Sequence, residues 1–355
     1  MIFAHRRLGT ALASNAVKTA RGSLPFLCIN SGRLALIVLG AIYLALGAGP
    51  ASAQNYPNRP IKFVVGYTPG GSNDILGRMF AQKLSERIGQ PVVVENKPGA
   101  DSIIGTDFVA KSPPDGYTLL VSSAAMILNA ALYEKVPYDT GKDFFPVTMF
   151  ASDPLVYAVN PSVQANTIAE LIALAKAKPA QLFYSSGAPA FHVSAEWFKH
   201  AAGVNIVHVP YKGSVPAITA AISGEVPMVV ISIVPVIQHL RSGKLRPLVV
   251  TSEHRDALLP QVPTMKESGL DVEGGIWVGL FAPAATPRPV VDKLYAELAV
   301  ILKSEATLKG LTTLGYDTSG TGMSPSEFGK FFNTSLRKWT KVINDVKIQK
   351  SQLGK

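Results

Sequence analysis

The chain is best understood from the stretch Pro60-Ile61-Lys62-Phe63-Val64-Val65-Gly66-Tyr67-Thr68-Pro69-Gly70-Gly71-Ser72-Asn73-Asp74. Its first half is a short β-branched and aromatic run, which predicts a buried strand ending at Gly66. Ser72 and Asn73 are good helix caps. The apolar residues that follow recur at the helical period: Ile75, Leu76, Met79, Phe80, Leu84 and Ile88. The stretch therefore predicts a strand, a glycine-rich loop and a helix.

The same alternation continues along the chain. Further strands are predicted at 91–95, 117–121, 181–184, 206–209 and 227–231, and helices at 103–110, 190–202, 214–223 and 234–241. Such alternation is typical of α/β units with a mostly parallel sheet and helices on both faces. Two helices near the C-terminus begin at Thr286-Pro287 and Ser324-Pro325. We expect the apolar stripes of these two helices to pack on the α/β units formed by the preceding parts of the chain.

The N-terminus has the features of a secretory signal peptide. Residues 1–33 contain five basic residues and no acidic one, residues 34–48 are apolar, and Ala51-Ser52-Ala53 supplies small residues for cleavage. The apolar run is shorter than the roughly 20 residues that a membrane-spanning helix needs. We expect cleavage after Ala53. The alternative, an uncleaved anchor, would make the chain a membrane-anchored sensor partner.

Composition excludes several classes of protein. The formal charge of +10 over 355 residues suggests a nucleic-acid-binding protein. Cleavage of the signal peptide would remove half of that charge, and the remaining basic residues are not clustered along the mature chain. We therefore expect no nucleic-acid partner. Cys28 is the single cysteine and lies in the signal peptide. Zinc ribbons and disulfide frameworks are thereby excluded, and a cysteine-free chain suits an oxidising compartment.

Enzyme signatures are missing from the sequence. It has no nucleophile elbow, P-loop, HExxH or dinucleotide-binding glycine motif, and its histidines lack the spacing of a metal site. We therefore predict no catalytic residue, no metal and no cofactor. A secreted serine hydrolase that uses Ser186 with His192 stays open, because the members of a triad need not be close in sequence.

Four strand-to-helix junctions share a loop rich in Gly, Ser and Pro. They lie at 66–74, 121–124, 184–189 and 209–214. Ligands of doubly wound sheets bind outside the carboxyl ends of the strands, and helix N-termini favour anions. Two α/β domains that face each other would bring all four loops to one cleft. Their hydroxyls and amides suit a carboxylate held by hydrogen bonds.

Several individual side chains have a more ordinary explanation. Asp74 lies in the first turn of its helix, where its negative charge interacts favourably with the helix dipole, so we interpret it as a cap. A loop lysine such as Lys212 is more often solvated than in contact with ligand. His192 is interpreted as a packing residue at the start of a helix. Tyr67 and Phe191 could be aromatic walls of the pocket. Trp197 and Trp339 stand at helical spacing and are expected in the core.

The sequence resembles a known family through motifs that occur in order over nearly the whole mature chain. They are 56–61 (YPNRPI), 69–74 (PGGSND), 94–100 (VENKPGA), 114–120 (PDGYTLL), 136–139 (VPYD), 142–144 (KDF), 209–213 (VPYKG) and 243–246 (GKLR). They are similar to those of the substrate-binding proteins of tripartite tricarboxylate transporters, also called Bug or TctC receptors. Singly, several are turn motifs; together they are specific.

The resemblance implies a fold and a partner. The fold is periplasmic binding protein-like, of type II: two doubly wound α/β domains with a ligand cleft between them. Residues 54–154 and 279–355 would form the first domain and 155–278 the second, inserted one. The implied protein is a periplasmic monomer that delivers a small carboxylate to the membrane subunits of a tripartite transporter.

The matching positions predict the ligand-binding residues. In the first domain they are Tyr67, Thr68, Gly70, Gly71, Ser72, Asn73, Ser122 and Ser123, and in the second Ser185, Ser186, Gly187, Ala188, Ala190, Phe191, Lys212, Gly213 and Ser214.

Two departures from the family pattern bear on the ligand. The loop after Tyr184 is shorter and more apolar than in many relatives, and residues 226–232 lack the aspartates that relatives carry there. Loss of an acidic group disfavours an amino-acid ligand. The prediction leans towards an unsubstituted or aromatic carboxylate, with di- and tricarboxylates left open.

Overall fold

The structure, a computed structural model, describes residues 56–346 and 348. The predicted signal peptide lies outside the described residues. The strands are β1 Ile61–Val65, β2 Val92–Asn96, β3 Thr118–Ser123, β4 Phe144–Val159, β5 Phe183–Ser186, β6 Val207–Pro210, β7 Met228–Ser232, β8 Arg246–Val250 and β9 Gly275–Pro283. The helices are α1 Ser72–Ile88, α2 Ile103–Ala110, α3 Ala125–Leu132, α4 Ile168–Ala177, α5 Pro189–Ala202, α6 Ser214–Ser223, α7 Ile233–Arg241, α8 Arg288–Leu302, α9 Glu305–Leu314 and α10 Pro325–Val346.

The strands form one continuous sheet that extends through two lobes. Its order is β2-β1-β3-β9-β4-β7-β5-β6, with β8 also paired to β4. Strands β1, β2 and β3 are mutually parallel, as are β5, β6 and β7. The 16-residue β4 pairs with β9 along its first part and with β7 and β8 along its last part. It therefore runs from the first lobe (β1, β2, β3, β9) into the second (β5, β6, β7, β8).

Burial explains why these segments form strands. Ile61, Phe63, Val64 and Val65 of β1 are all inaccessible to solvent, because helices cover both faces of the sheet. The C-terminal helices complete the first lobe: Phe328 and Phe332 of α10 pack on Trp277 and Phe281 of β9. The expectation that the C-terminal stripes pack on an existing unit is confirmed.

The α/β prediction is confirmed, but the sheet is less parallel than expected. Strands β4, β8 and β9 are antiparallel to their neighbours, and the sequence patterns did not identify them. β4 contains Pro146, Asp153 and Pro154. Proline cannot donate to a ladder and aspartate is rare in strands, so the segment lacks a strand signature.

The predicted boundary near 154 lies within β4, and the one near 279 lies within β9, where Gly279 pairs with Ser122 of the first lobe. β4 changes its main pairing partners around residue 154, and β9 begins at Gly275. The exact boundaries stay a prediction. Among the described residues, no helix is both long enough and apolar enough to span a membrane.

Candidate functional site

The loop between β1 and α1 is shaped by glycine and by Asp74. Gly70 has a φ of +92°, a conformation that side chains rarely adopt. The carboxylate of Asp74 accepts a hydrogen bond from the Gly70 N–H at 3.0 Å and pairs with Arg78 one turn later. These contacts hold the pKa of Asp74 below its usual range despite its burial. Asp74 is therefore a structural cap, as predicted.

In the second lobe, the loops after β5 and β6 touch through their glycines. A Cβ on Gly187 would overlap the carbonyl oxygen of Gly213, so no larger residue fits there. Gly213 itself has a φ of +142°. Two predicted ligand loops are thus held together by backbone contact.

The two lobes also meet at these loops. Thr68 Oγ1 donates to the carbonyl oxygen of Lys212 across the cleft at 3.3 Å. A Cβ on Gly71 would lie 3.4 Å from Ser214 Oγ, and one on Gly70 would lie 2.9 Å from a methyl group of Val215. The structure therefore brings the predicted loops 67–73 and 212–214 into contact.

Helix N-termini gather at this contact, and their N-cap residues make no side-chain cap bond. Among the described residues, the N-cap positions of α1, α5 and α6 are Gly71, Ala188 and Gly213, and none makes a side-chain cap bond. Thr167 caps α4 and Ser304 caps α9, whereas α2, α3, α7 and α8 also lack such a bond, so α1, α5 and α6 are distinguished by the meeting of their N-termini. Unpaired N–H groups and the positive end of the helix dipole at α1, α5 and α6 suit an anion.

Four of the predicted serines already have internal partners. Ser123 Oγ accepts a hydrogen bond from Ala125 N at 3.4 Å. Ser72 Oγ donates to Asp153 and lies 3.1 Å from Ser232 Oγ. Ser185 Oγ donates to backbone oxygens of Ala217 and Met228. The hydroxyls of Ser72 and Ser185 therefore hold their loops to neighbouring parts of the protein.

The fourth of these serines, Ser186, contacts a histidine other than the expected one. Its Oγ lies 2.8 Å from Nε2 of His208, whereas Nδ1 of His192 contacts the Tyr184 hydroxyl. The Ser186–His192 pair of the hydrolase alternative is therefore not formed. Burial lowers the pKa of His208 to about 3, so this ring is neutral near pH 7.

The other predicted residues lie on both sides of the contact. Ser122 and Ser123 end β3, beside β1, and are buried. Phe191 is buried in the core, Tyr67 is half-buried, and the Lys212 side chain is exposed. Whether these residues touch ligand stays a prediction. Of the two tryptophans expected in the core, Trp339 is buried and Trp197 is half-buried.

Sequence reasoning missed the acidic residue next to these loops. Asp153 comes from β4 and contacts Ser72 at the start of α1 and the backbone at the start of α7. The missing aspartates of residues 226–232 suggested a cleft without a nearby carboxyl group. A single aspartate inside the apolar run 147–159 was the signal that could have revealed it.

A second missed feature is a left-handed turn before α2. Ala100, Asp101 and Ser102 have φ values of +46°, +52° and +72°. The turn packs against the ligand loop, because a Cβ on Gly66 would overlap the Cβ of Ser102. Such conformations cost about 1 kcal/mol or more per residue and persist only where the surroundings enforce them.

A large cavity lies elsewhere in the described part of the chain. It has a volume of about 1090 Å³ and is lined by the segments that join the lobes, including Ser152, Pro154, Gly275 and Tyr316. None of the predicted ligand residues lines it. Within the described residues, no group of three or more His, Cys, Asp or Glu side chains could hold a metal ion.

Comparison with known proteins identifies the family. The profile of the tripartite tricarboxylate transporter family receptor (TctC) matches residues 76–348. The chain belongs to this family. The receptor is 35% identical to the protein BugT of Bordetella pertussis, over 89% of this chain and 98% of BugT.

Solved structures agree with this assignment. A protein of R. palustris solved with adipate has a TM-score of 0.80 and 33% identity, covering 83% of the receptor and 100% of that chain. MatC of Rhodopseudomonas palustris, with bound malate, has a TM-score of 0.76 and 28% identity, covering 81% of the receptor and 100% of MatC. The two-lobed α/β fold of a periplasmic binding protein is confirmed.

Proposed function

We propose that the receptor captures a small carboxylate in the periplasm and delivers it to the membrane subunits of a tripartite transporter. The ligand would lie between the loops of the first lobe at 67–73 and 122–123 and those of the second at 185–191 and 212–214. Structural relatives with adipate and with malate support a dicarboxylate as the first candidate.

The observation that carries this proposal is the meeting of three helix N-termini, those of α1, α5 and α6, whose N-cap residues make no side-chain cap bond. Such N-termini bind carboxylates because the first N–H groups lack intrahelical partners. The receptor contains an internal example: the carboxylate of Asp153 accepts hydrogen bonds from Ile233 N and Val234 N at the start of α7. A ligand carboxylate would make the same type of contact at α1, α5 or α6.

Capture would proceed by hinge closure. The contact of Thr68 with Lys212 requires the two lobes to be together. A ligand that touches loops of both lobes interacts fully only with that arrangement, so it shifts the population towards it. No bond is made or broken in the ligand.

Binding of small acids to the purified protein tests the proposal. We expect one of adipate, malate or benzoate to raise the melting temperature by about 5 °C at a hundredfold excess over its Kd. Calorimetry should then give one site per chain, and adipamide, the uncharged analogue of adipate, should bind far more weakly. Folded, ligand-free protein that responds to no acid would contradict the proposal.

One contact favours a second candidate function, a serine hydrolase. Ser186 Oγ and His208 Nε2 are within hydrogen-bond distance, which is the geometry of a nucleophile and its base. Ser186 is buried and His208 is half-buried, and among the described residues the hydrogen-bond and ring-stacking partners of the His208 side chain are Ser186, Tyr184 and His192, with no carboxylate. Incubation with p-nitrophenyl acetate should give no hydrolysis above that of Ser186→Ala. Turnover that this substitution abolishes would favour the hydrolase.

A further inference from the structure

Asp153 lies where β4 leaves one lobe and enters the other. Pro154 is the last residue of β4 that pairs with β9, and Leu155 is the first that pairs with β7. The Asp153 side chain is completely inaccessible to solvent. Aspartate is rarely buried in this way unless it is paired with a cation.

The carboxylate of Asp153 binds one helix from each lobe. Its Oδ2 accepts a hydrogen bond from Ser72 Oγ, at the first residue of α1. Its Oδ1 accepts from Ile233 N at 3.1 Å and from Val234 N at 3.4 Å, at the start of α7. Movement of the lobes away from each other must break one set of contacts and admit water to the carboxyl group.

No cationic side chain of the described residues forms an ion pair with Asp153. On α1, Asp74 in the first turn pairs with Arg78 and accepts a hydrogen bond from Asn96. On α7, the first titratable residue is His239, in the last turn.

The segment after α9 presents two titratable groups to this region. Tyr316 lies close enough for the charge of Asp153 to add to the effect of burial, and both raise the pKa of the tyrosine. Asp317 pairs with Ser152 through its backbone and directs its carboxylate to Ser319. Neither group neutralises the charge of Asp153.

We propose that Asp153 is a positioning residue whose carboxyl group takes up a proton when the lobes close on ligand. This inference rests on the proposed function, because the proton would be taken up during the same closure of the lobes on ligand. In the closed arrangement the carboxyl is enclosed and holds Ser72 against α7. In an open arrangement water solvates its charge.

The direction of the pH effect follows from burial. Desolvation raises the pKa of Asp153 to about 7 in the structure, although its hydrogen bonds lower it. A solvated aspartate has a pKa of about 3.9. The closed state therefore binds more protons between these values, so lower pH favours closure. Protonation keeps the contacts, because the Ser72 hydroxyl can accept a hydrogen bond as well as donate one.

The first test is the affinity for the acid that binds best, measured between pH 8 and pH 6. We expect the affinity of the wild-type protein to rise about tenfold as the pH falls, from the two pKa values. Asp153→Asn imitates the protonated group: its oxygen accepts from α7 and its amide donates to Ser72. This variant should lose the pH dependence and bind more tightly than wild type at pH 8.

Two further variants separate this role from general stability. Asp256 also has a pKa raised by burial, but its carboxylate contacts its own loop at Leu258 N. Asp256→Asn should keep the wild-type pH profile. Asp153→Ala, which removes both the charge and the link between α1 and α7, should bind more weakly than Asp153→Asn at every pH.

Proton uptake can be measured without any variant. Calorimetry at pH 7 in two buffers of different ionisation enthalpy should show about half a proton taken up for each ligand bound. Adipate and malate are fully ionised at pH 7, so this proton must go to the protein. Zero uptake, or equal uptake by Asp153→Asn, would overturn the inference while the binding itself stood. No binding of any acid at any pH would instead overturn the proposed function.

Discussion

Gly213 contacts both the opposite lobe and the neighbouring loop through its backbone. A Cβ at this position would overlap Thr68 Oγ1, and the φ of +142° disfavours any side chain. We expect Gly213→Ala to weaken ligand binding about tenfold, which corresponds to about 1.4 kcal/mol of strain in the closed arrangement. Calorimetry measures the change.

Two variants serve as controls for Gly213→Ala. Gly310 lies inside α9, where an added Cβ would meet no atom of another element within 4 Å. Gly310→Ala should therefore raise stability by about 0.5–1 kcal/mol and leave affinity unchanged. Thr68→Ala removes the clashing oxygen and should restore part of the affinity lost by Gly213→Ala. A double variant no better than Gly213→Ala would show that contact between the lobes is not the cause.

The N-terminus of α5 offers a test in which stability and affinity change in opposite directions. Ala188 occupies the N-cap with extended backbone angles and makes no side-chain cap. Ala188→Asp should stabilise the helix by about 1 kcal/mol in thermal unfolding. Its carboxylate would occupy the N–H groups that we assign to the ligand, so affinity for the acid should fall.

Ala188→Asn separates the cap from the charge. It should stabilise α5 by a similar amount and weaken the binding of the acid less than Ala188→Asp does, because it adds no negative charge. If Ala188→Asp bound the acid as tightly as wild type, the N-terminus of α5 would not contact the ligand.

The elements that could be predicted from the sequence are those whose patterns are local. The strand and helix on either side of the glycine loop 66–71 have a clear hydrophobic periodicity and clear boundary residues, and they lie where expected. β4 was missed because Asp153 and the prolines at 146 and 154 interrupt its pattern. What keeps these residues in a strand is pairing with β9, which is distant in sequence.

The candidate site could be predicted only in part for the same reason. The loops follow from local sequence, and their contact at Gly187 and Gly213 follows from the parallel order of β5 and β6. The partner of Ser186 is His208 because the two residues stand on adjacent strands. No feature of sequence spacing distinguishes His208 from His192.

The two lobes are joined by β4 and by the chain that enters β9 at Gly275. Connections of this kind permit a hinge motion while the strand pairs within each lobe stay intact. Ligand capture is therefore expected to change the distance between two halves that are each rigid.

The most direct test of capture by closure is the distance between spin labels on the two lobes, with and without the acid that binds best. Gln82→Cys and Lys176→Cys place the labels on exposed positions of α1 and α4, and the only native cysteine is Cys28 in the predicted signal peptide. We predict that a saturating concentration of the acid shortens and narrows the distance distribution. An unchanged distribution under conditions where calorimetry shows binding would contradict capture by closure.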